Sequence, residues 1–208
     1  YEDFKKVFSY FCFRTFFKNE FEFSEKTVLE NIERAKEKVL PYLEFKSDDY
    51  LDDMNKAVCM LVHEGLNYRF SHRSFQEYFA AVYTTQLSDN EQKQFLTSWL
   101  KSINGRMTSD FLYILCELQP DRCFKNIVYT PLKELYNLYE QNGLSDDWFI
   151  DFLYSGVGIR EYNGKKKIIV VVKNSFYHVI FVSGLQCMHY TYNDMCEPDE
   201  YYNVITQL

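Results

Sequence analysis

Apolar residues recur along this chain at two spacings, and the switches between them mark its elements. Phe4, Val7, Phe8, Phe11 and Cys12 keep helical spacing, which predicts a helix over residues 1–17 with an unusually aromatic face. Residues 19–23 read as a connector or short strand. Ser24 or Thr27 can cap the next helix, where Val28, Leu29, Ile32, Ala35, Val39 and Leu40 carry the stripe to a stop near Pro41. A third helix follows Ser47 through Tyr50, Leu51, Met54, Ala57, Val58, Leu61 and Val62, with Gly65 placed to end it. Tyr68 and Phe70 then alternate with Arg69 and Ser71, as a half-buried strand over 66–71 would. From Phe75 the period is helical again: Phe75, Tyr78, Phe79 and Val82 share one stripe of a helix over 73–87, and its three aromatic residues are assigned to packing. Ser74 and Glu77 have capping-box spacing at its start, and Gln76 and Glu77 fall on its more polar side.

Beyond Ser88 the pattern is purely helical. Ser88 and Glu91 form a second capping-box match, and helices are drawn over 89–102, 107–118, 121–128 and 131–141. Pro120 and Pro131 stand at first-turn positions, where a missing N–H costs nothing. After Gly143 comes a short aromatic helix over 145–154. Residues 157–162 and 165–173, joined by Asn163-Gly164, read as a hairpin, because Asn-Gly favours the turn that matches strand twist. The run Ile168 to Val172 is apolar on both faces and predicts a covered central strand, followed by a third strand over 176–182. Residues 185–208 supply a further strand or helix.

Composition narrows the class. Of 208 residues, 47% are hydrophobic and 19% aromatic, against 7 Gly and 4 Pro, so the chain builds long packed elements with few irregular loops. A formal charge of −7 disfavours nonspecific attraction to nucleic acid or an anionic membrane. The six cysteines make no C-x-x-C pair and read as buried free thiols of a reducing, cytoplasmic compartment. No apolar run has the length of a membrane helix. Tyr1 opens directly inside an amphipathic pattern, and the sequence is therefore read as the back part of a longer protein.

The densest information lies in YRFSHRSFQEYFAA, residues 68–81, where strand period gives way to helix period around His72. At such a junction free N–H groups and the positive end of the helix dipole converge and attract an anion such as phosphate, to which an imidazole adds one donor. These residues resemble the end of the winged-helix domain in NACHT-type signal-transducing NTPases of the STAND class. The resemblance implies that His72 reaches the terminal phosphate of bound ADP and holds the resting state. It also implies an upstream NTPase core in the same chain that binds ADP or ATP with Mg, and self-association on activation by a trigger. On this reading the fold is α+β, mainly helical: a winged helix over 1–87, a helical domain over 88–143 and a small α/β module over 144–208 with an antiparallel hairpin. The absence of 20-to-50-residue repeats suits a bacterial-type member, whose family role is often defence against phage.

Other candidates are weaker. The third helix begins with Asp48, Asp49, Asp52 and Asp53, whose charge repels phosphate, so DNA readout is not expected. Those acids lack the glycine turn and distal glutamate of a calcium loop. Cys187, His189 and Cys196 fit no zinc spacing. Lys165, Lys166 and Lys167 read as a solvated strand edge, and Gly156-Val157-Gly158 as a hinge. There is no G-x-x-x-x-G-K-[ST] loop and no strand ending in paired acids, so this stretch by itself is not expected to hydrolyse ATP. The rival expectation is a nucleotide-independent helical interaction scaffold in which His72 only stabilises its turn.

Overall fold

Aromatic stripes at helical spacing must bury against one another, and the computed structural model shows how they do so. It describes residues 2–102, 109–162 and 165–192. The fold is α+β and mainly helical, and the described residues carry two small antiparallel sheets. The chain divides into two compact units, Tyr1–Leu87 with Ser109–Leu118, and Ser88–Thr108 with Gln119–Leu208.

The first unit begins with α1 (Glu2–Phe17), β1 (Glu22–Ser24) and α2 (Glu25–Val39). Ser24 caps α2, its hydroxyl accepting from the Thr27 amide at 3.3 Å. Next come α3 (Ser47–Asp52), which continues as a π turn over Asp53–Ala57, then β2 (Leu61–Glu64), β3 (Asn67–Phe70) and α4 (Arg73–Gln86). After α5 (Asp89–Ser102), which belongs to the second unit, α6 (Phe111–Leu118) packs on α4 in the first. The core is aromatic. Phe8 meets Phe79 edge-on at 4.8 Å between centroids, and Phe11 lies 5.7 Å from Phe23 and 6.0 Å from Phe70. Phe111 lies 4.9 Å from Phe16 and 5.1 Å from Phe17, which is why this stretch joins α1 and α4 and not the helices beside it in sequence.

Two expectations fail in this unit for one reason. The third helix was to run through Val62 and end at Gly65, yet it stops at Ala57, and Leu61–Glu64 pairs antiparallel with β3. A short apolar run fits either period, and here pairing with an already anchored strand wins. Gly65 (φ +66°) instead opens the two-residue turn between β2 and β3, where Glu64 pairs with Asn67. With β1 added on the other edge the sheet order is β1-β3-β2, so the strand drawn from alternation over 66–71 is the middle of three.

In the second unit Ser88 and Glu91 form the full capping box of α5. The Ser88 amide donates to the Glu91 carboxylate at 3.0 Å, and the Glu91 amide to the Ser88 hydroxyl at 3.4 Å. The helices α7 (Pro120–Cys123) and α8 (Tyr129–Gln141) join through a π turn over Phe124–Val128. Pro131 therefore lies inside a continuous helix, not at its first turn. A proline there lacks a donor and crowds the preceding turn, and the widened π turn before it makes room. The chain continues with α9 (Asp146–Leu153), β4 (Tyr154–Tyr162), β5 (Lys165–Val172) and α10 (Ser175–Tyr192).

Three readings change here. Residues 176–182 are helical, and the buried Val179, Ile180 and Ser183 show the 3-to-4 spacing that an unbroken apolar run conceals. The run Ile168 to Val172 is not central: β5 pairs only with β4 among the described residues, and Val171 is 53% exposed. Gly156 and Gly158 lie within β4 and pair with Val171 and Ile169, so they are not a hinge before it. The Asn163-Gly164 turn and residues 193–208 lie outside the described residues.

Candidate functional site

Alternation along β3 turns Tyr68 and Phe70 inward and leaves Arg69 exposed. Ser71 then fixes the corner: its hydroxyl donates to the Cys59 carbonyl at 2.7 Å and its amide to the Met60 carbonyl at 3.0 Å. His72 follows as the N-cap of α4, in extended conformation at φ −138° and ψ 133°, with its carbonyl accepting from the Phe75 amide at 3.1 Å. The imidazole is exposed and makes no capping bond; it stands edge-on to Phe75 at 5.9 Å.

Beside this corner lies an open groove of about 320 Å³, lined by Arg69, His72 and Arg73 together with Phe21, Glu22, Phe70, Ser71 and Gln76. Three cationic or potentially cationic side chains thus share it with one carboxylate. The carboxylate is engaged, since Glu22 accepts from the Asn67 amide side chain at 2.8 Å. Arg69 pairs with Glu64 at its outer end. Gln76 is fully buried: its Nε2 donates to Thr15 Oγ1 and to the Glu20 carbonyl, both at 2.9 Å, and its Oε1 has no partner among the described residues.

The expected capping box at Ser74 and Glu77 does not form. With His72 as N-cap, Ser74 already lies inside the helix, two residues too far along for its hydroxyl to serve as the cap. Glu77 is instead buried at 3% exposure, with Oε1 accepting from Arg73 Nε at 3.1 Å and Oε2 from the Asp110 amide at 3.4 Å. Gln76 and Glu77 thus belong to the buried face of α4, with Ala80, Ala81 and Thr84, where it packs between α1 and α6. The aromatic stripe sits off that centre: Phe75, Phe79 and Val82 are half-buried, and Tyr78 is 41% exposed. The sequence did hold a signal for this, because Gln76, Ala80 and Thr84 repeat at i+4 and their small or polar side chains let helices approach.

Elsewhere, Cys12, Cys116 and Cys123 are buried free thiols and Cys59 an exposed one; burial pushes the Cys12 thiol well up. The side chains of Lys165, Lys166, Lys167, Cys187, His189 and Cys196 lie outside those described. Among the described residues no helix is long and apolar enough to cross a membrane, and no cluster of His, Cys, Asp and Glu is placed to hold a metal. Compared with protein-family models, with curated proteins and with solved structures, the chain matches none of them.

Proposed function

We propose that this chain is the regulatory portion of a NACHT-type STAND NTPase, and that the groove beside His72 closes on the terminal phosphate of ADP held by a core upstream in the same protein. The observation that carries the reading is the position of His72: an exposed imidazole at a strand-to-helix corner, beside two arginines, with no hydrogen bond of its own among the described residues. A histidine that merely stabilised its turn would spend a ring nitrogen on a nearby carbonyl. The first unit adds support, because helix, strand, two helices and a hairpin, with the first strand on the hairpin's edge, is the element order of a winged helix.

On this reading His72 donates to the phosphate, the N–H groups at the start of α4 lend their dipole, and Arg69 and Arg73 supply positive charge. Magnesium and the chemistry of hydrolysis belong to the upstream core. Release of ADP opens the winged helix, exchange for ATP favours the open arrangement, and copies associate, with antiphage defence as the setting. Changing His72→Leu in the full-length protein weakens ADP about tenfold to a hundredfold in calorimetry, the range a charge-assisted hydrogen bond supports, and raises basal activity. Unchanged ADP affinity would favour the rival, a nucleotide-independent docking scaffold, for which the exposed Tyr42, Leu66 and Tyr78 would be contact points.

A further inference from the structure

Arg73 is the most tightly held cation of the groove. Its guanidinium carbon lies 4.5 Å from the Phe21 ring centroid, and its Nε donates to Glu77 at 3.1 Å. Glu77 has no freedom to follow it, being buried and tied through its other oxygen to the Asp110 amide at the start of α6. An aromatic face on one side and a carboxylate at the Nε edge fix the plane of the guanidinium. Its two terminal nitrogens make no hydrogen bond among the described residues. A planar fork oriented in advance is the geometry that takes a phosphate through two parallel bonds, and little side-chain entropy is left to lose on binding.

A buried polar side chain lies beside this cation. Gln76 is fully buried and lines the same groove, and with Nε2 committed to Thr15 and Glu20 its Oε1 is left without a partner among the described residues. Burial of such an atom is costly unless a donor completes it.

We propose that Arg73 grips the anion in this groove beside His72 and that Glu77 is a positioning residue that holds Arg73 in its binding orientation. The inference rests on the ADP reading above and extends it to residues that the resemblance leaves without a role. The test is calorimetry of ADP binding to the full-length protein with His72→Ala, Arg73→Ala, Arg73→Lys, Glu77→Gln and the double variant Arg73→Ala/Glu77→Gln. Glutamine at position 77 keeps an acceptor for the Asp110 amide while removing the charge that orients the guanidinium. Arg73→Ala is expected to lower ADP affinity about tenfold or more, and Arg73→Lys to recover only part of it, because an ammonium has no fork. Glu77→Gln lowers affinity when Arg73 is present and adds nothing to Arg73→Ala. An equal loss from Glu77→Gln in both backgrounds would reduce Glu77 to a folding role and overturn its positioning function. Loss with His72→Ala but none with Arg73→Ala would overturn the arginine grip and leave the ADP reading standing. Loss with neither would remove both.

Discussion

Gln76 shows how one polar side chain can be misplaced by pattern and then explained by packing. Between Phe75 and Glu77 it reads as solvent-facing, yet it is fully buried, and its amide joins α4 to the Thr15 hydroxyl and the Glu20 carbonyl. Hydrophobic period finds the stripe that is apolar; it cannot find a face that is buried because small residues let neighbours close in. Replacing Gln76→Ala leaves the Glu20 carbonyl without its donor and opens space in the core, so a loss of about 2 to 3 kcal/mol is expected in urea unfolding. A change under about 0.5 kcal/mol would mean that the amide is not structural. Phe70 is the opposite case, legible from its alternation with Arg69. It touches Phe8, Phe11 and Phe23, and Phe70→Ala is expected to cost about 3 to 5 kcal/mol in the same measurement.

At the level of elements, helices with a capping residue and a clean stripe were readable, as α2, α5 and α9 show. Ser145 caps α9 as Ser24 caps α2, each accepting from the amide three residues on. Short apolar runs were not readable. Leu61–Glu64 became a strand because β3 offered it a partner, and 176–182 became a helix that packs on α7, α8 and the π turn between them. Local sequence is neutral in both, and tertiary contacts decide. The capping box of α5 gives the element-scale prediction. Ser88→Ala removes the hydroxyl bonded to Glu91 and its amide, and is expected to cost about 1 kcal/mol, read as a lower melting temperature; an unchanged one would mean the box is frayed in solution.

For the molecule as a whole, acidity is a lever that sequence alone did not reveal. His178 on α10 meets the Tyr154 hydroxyl at 3.1 Å, and partial burial holds its imidazole below the ordinary histidine value near 6.5. The unfolded chain therefore takes up this proton at higher pH than the folded one. The contribution to stability is complete above the ordinary value and is lost as pH falls below it toward the folded value. Melting curves between pH 7 and pH 5 should show a decline that His178→Phe reduces; an identical decline in the variant would place the acid sensitivity elsewhere.

The site itself was half legible. The His72 corner could be drawn from the change of period at residues 70–75. The groove, the stacked Arg73 and the buried Glu77 could not, because Phe21 and Asp110 reach them from distant parts of the sequence. The central claim is that His72 meets a phosphate across that groove. Nitrogen resonances of the His72 ring, followed in the full-length protein as ADP is added, test it most directly. The account predicts that they shift and saturate along the ADP binding curve. Binding of ADP that leaves the His72 resonances unmoved would contradict it.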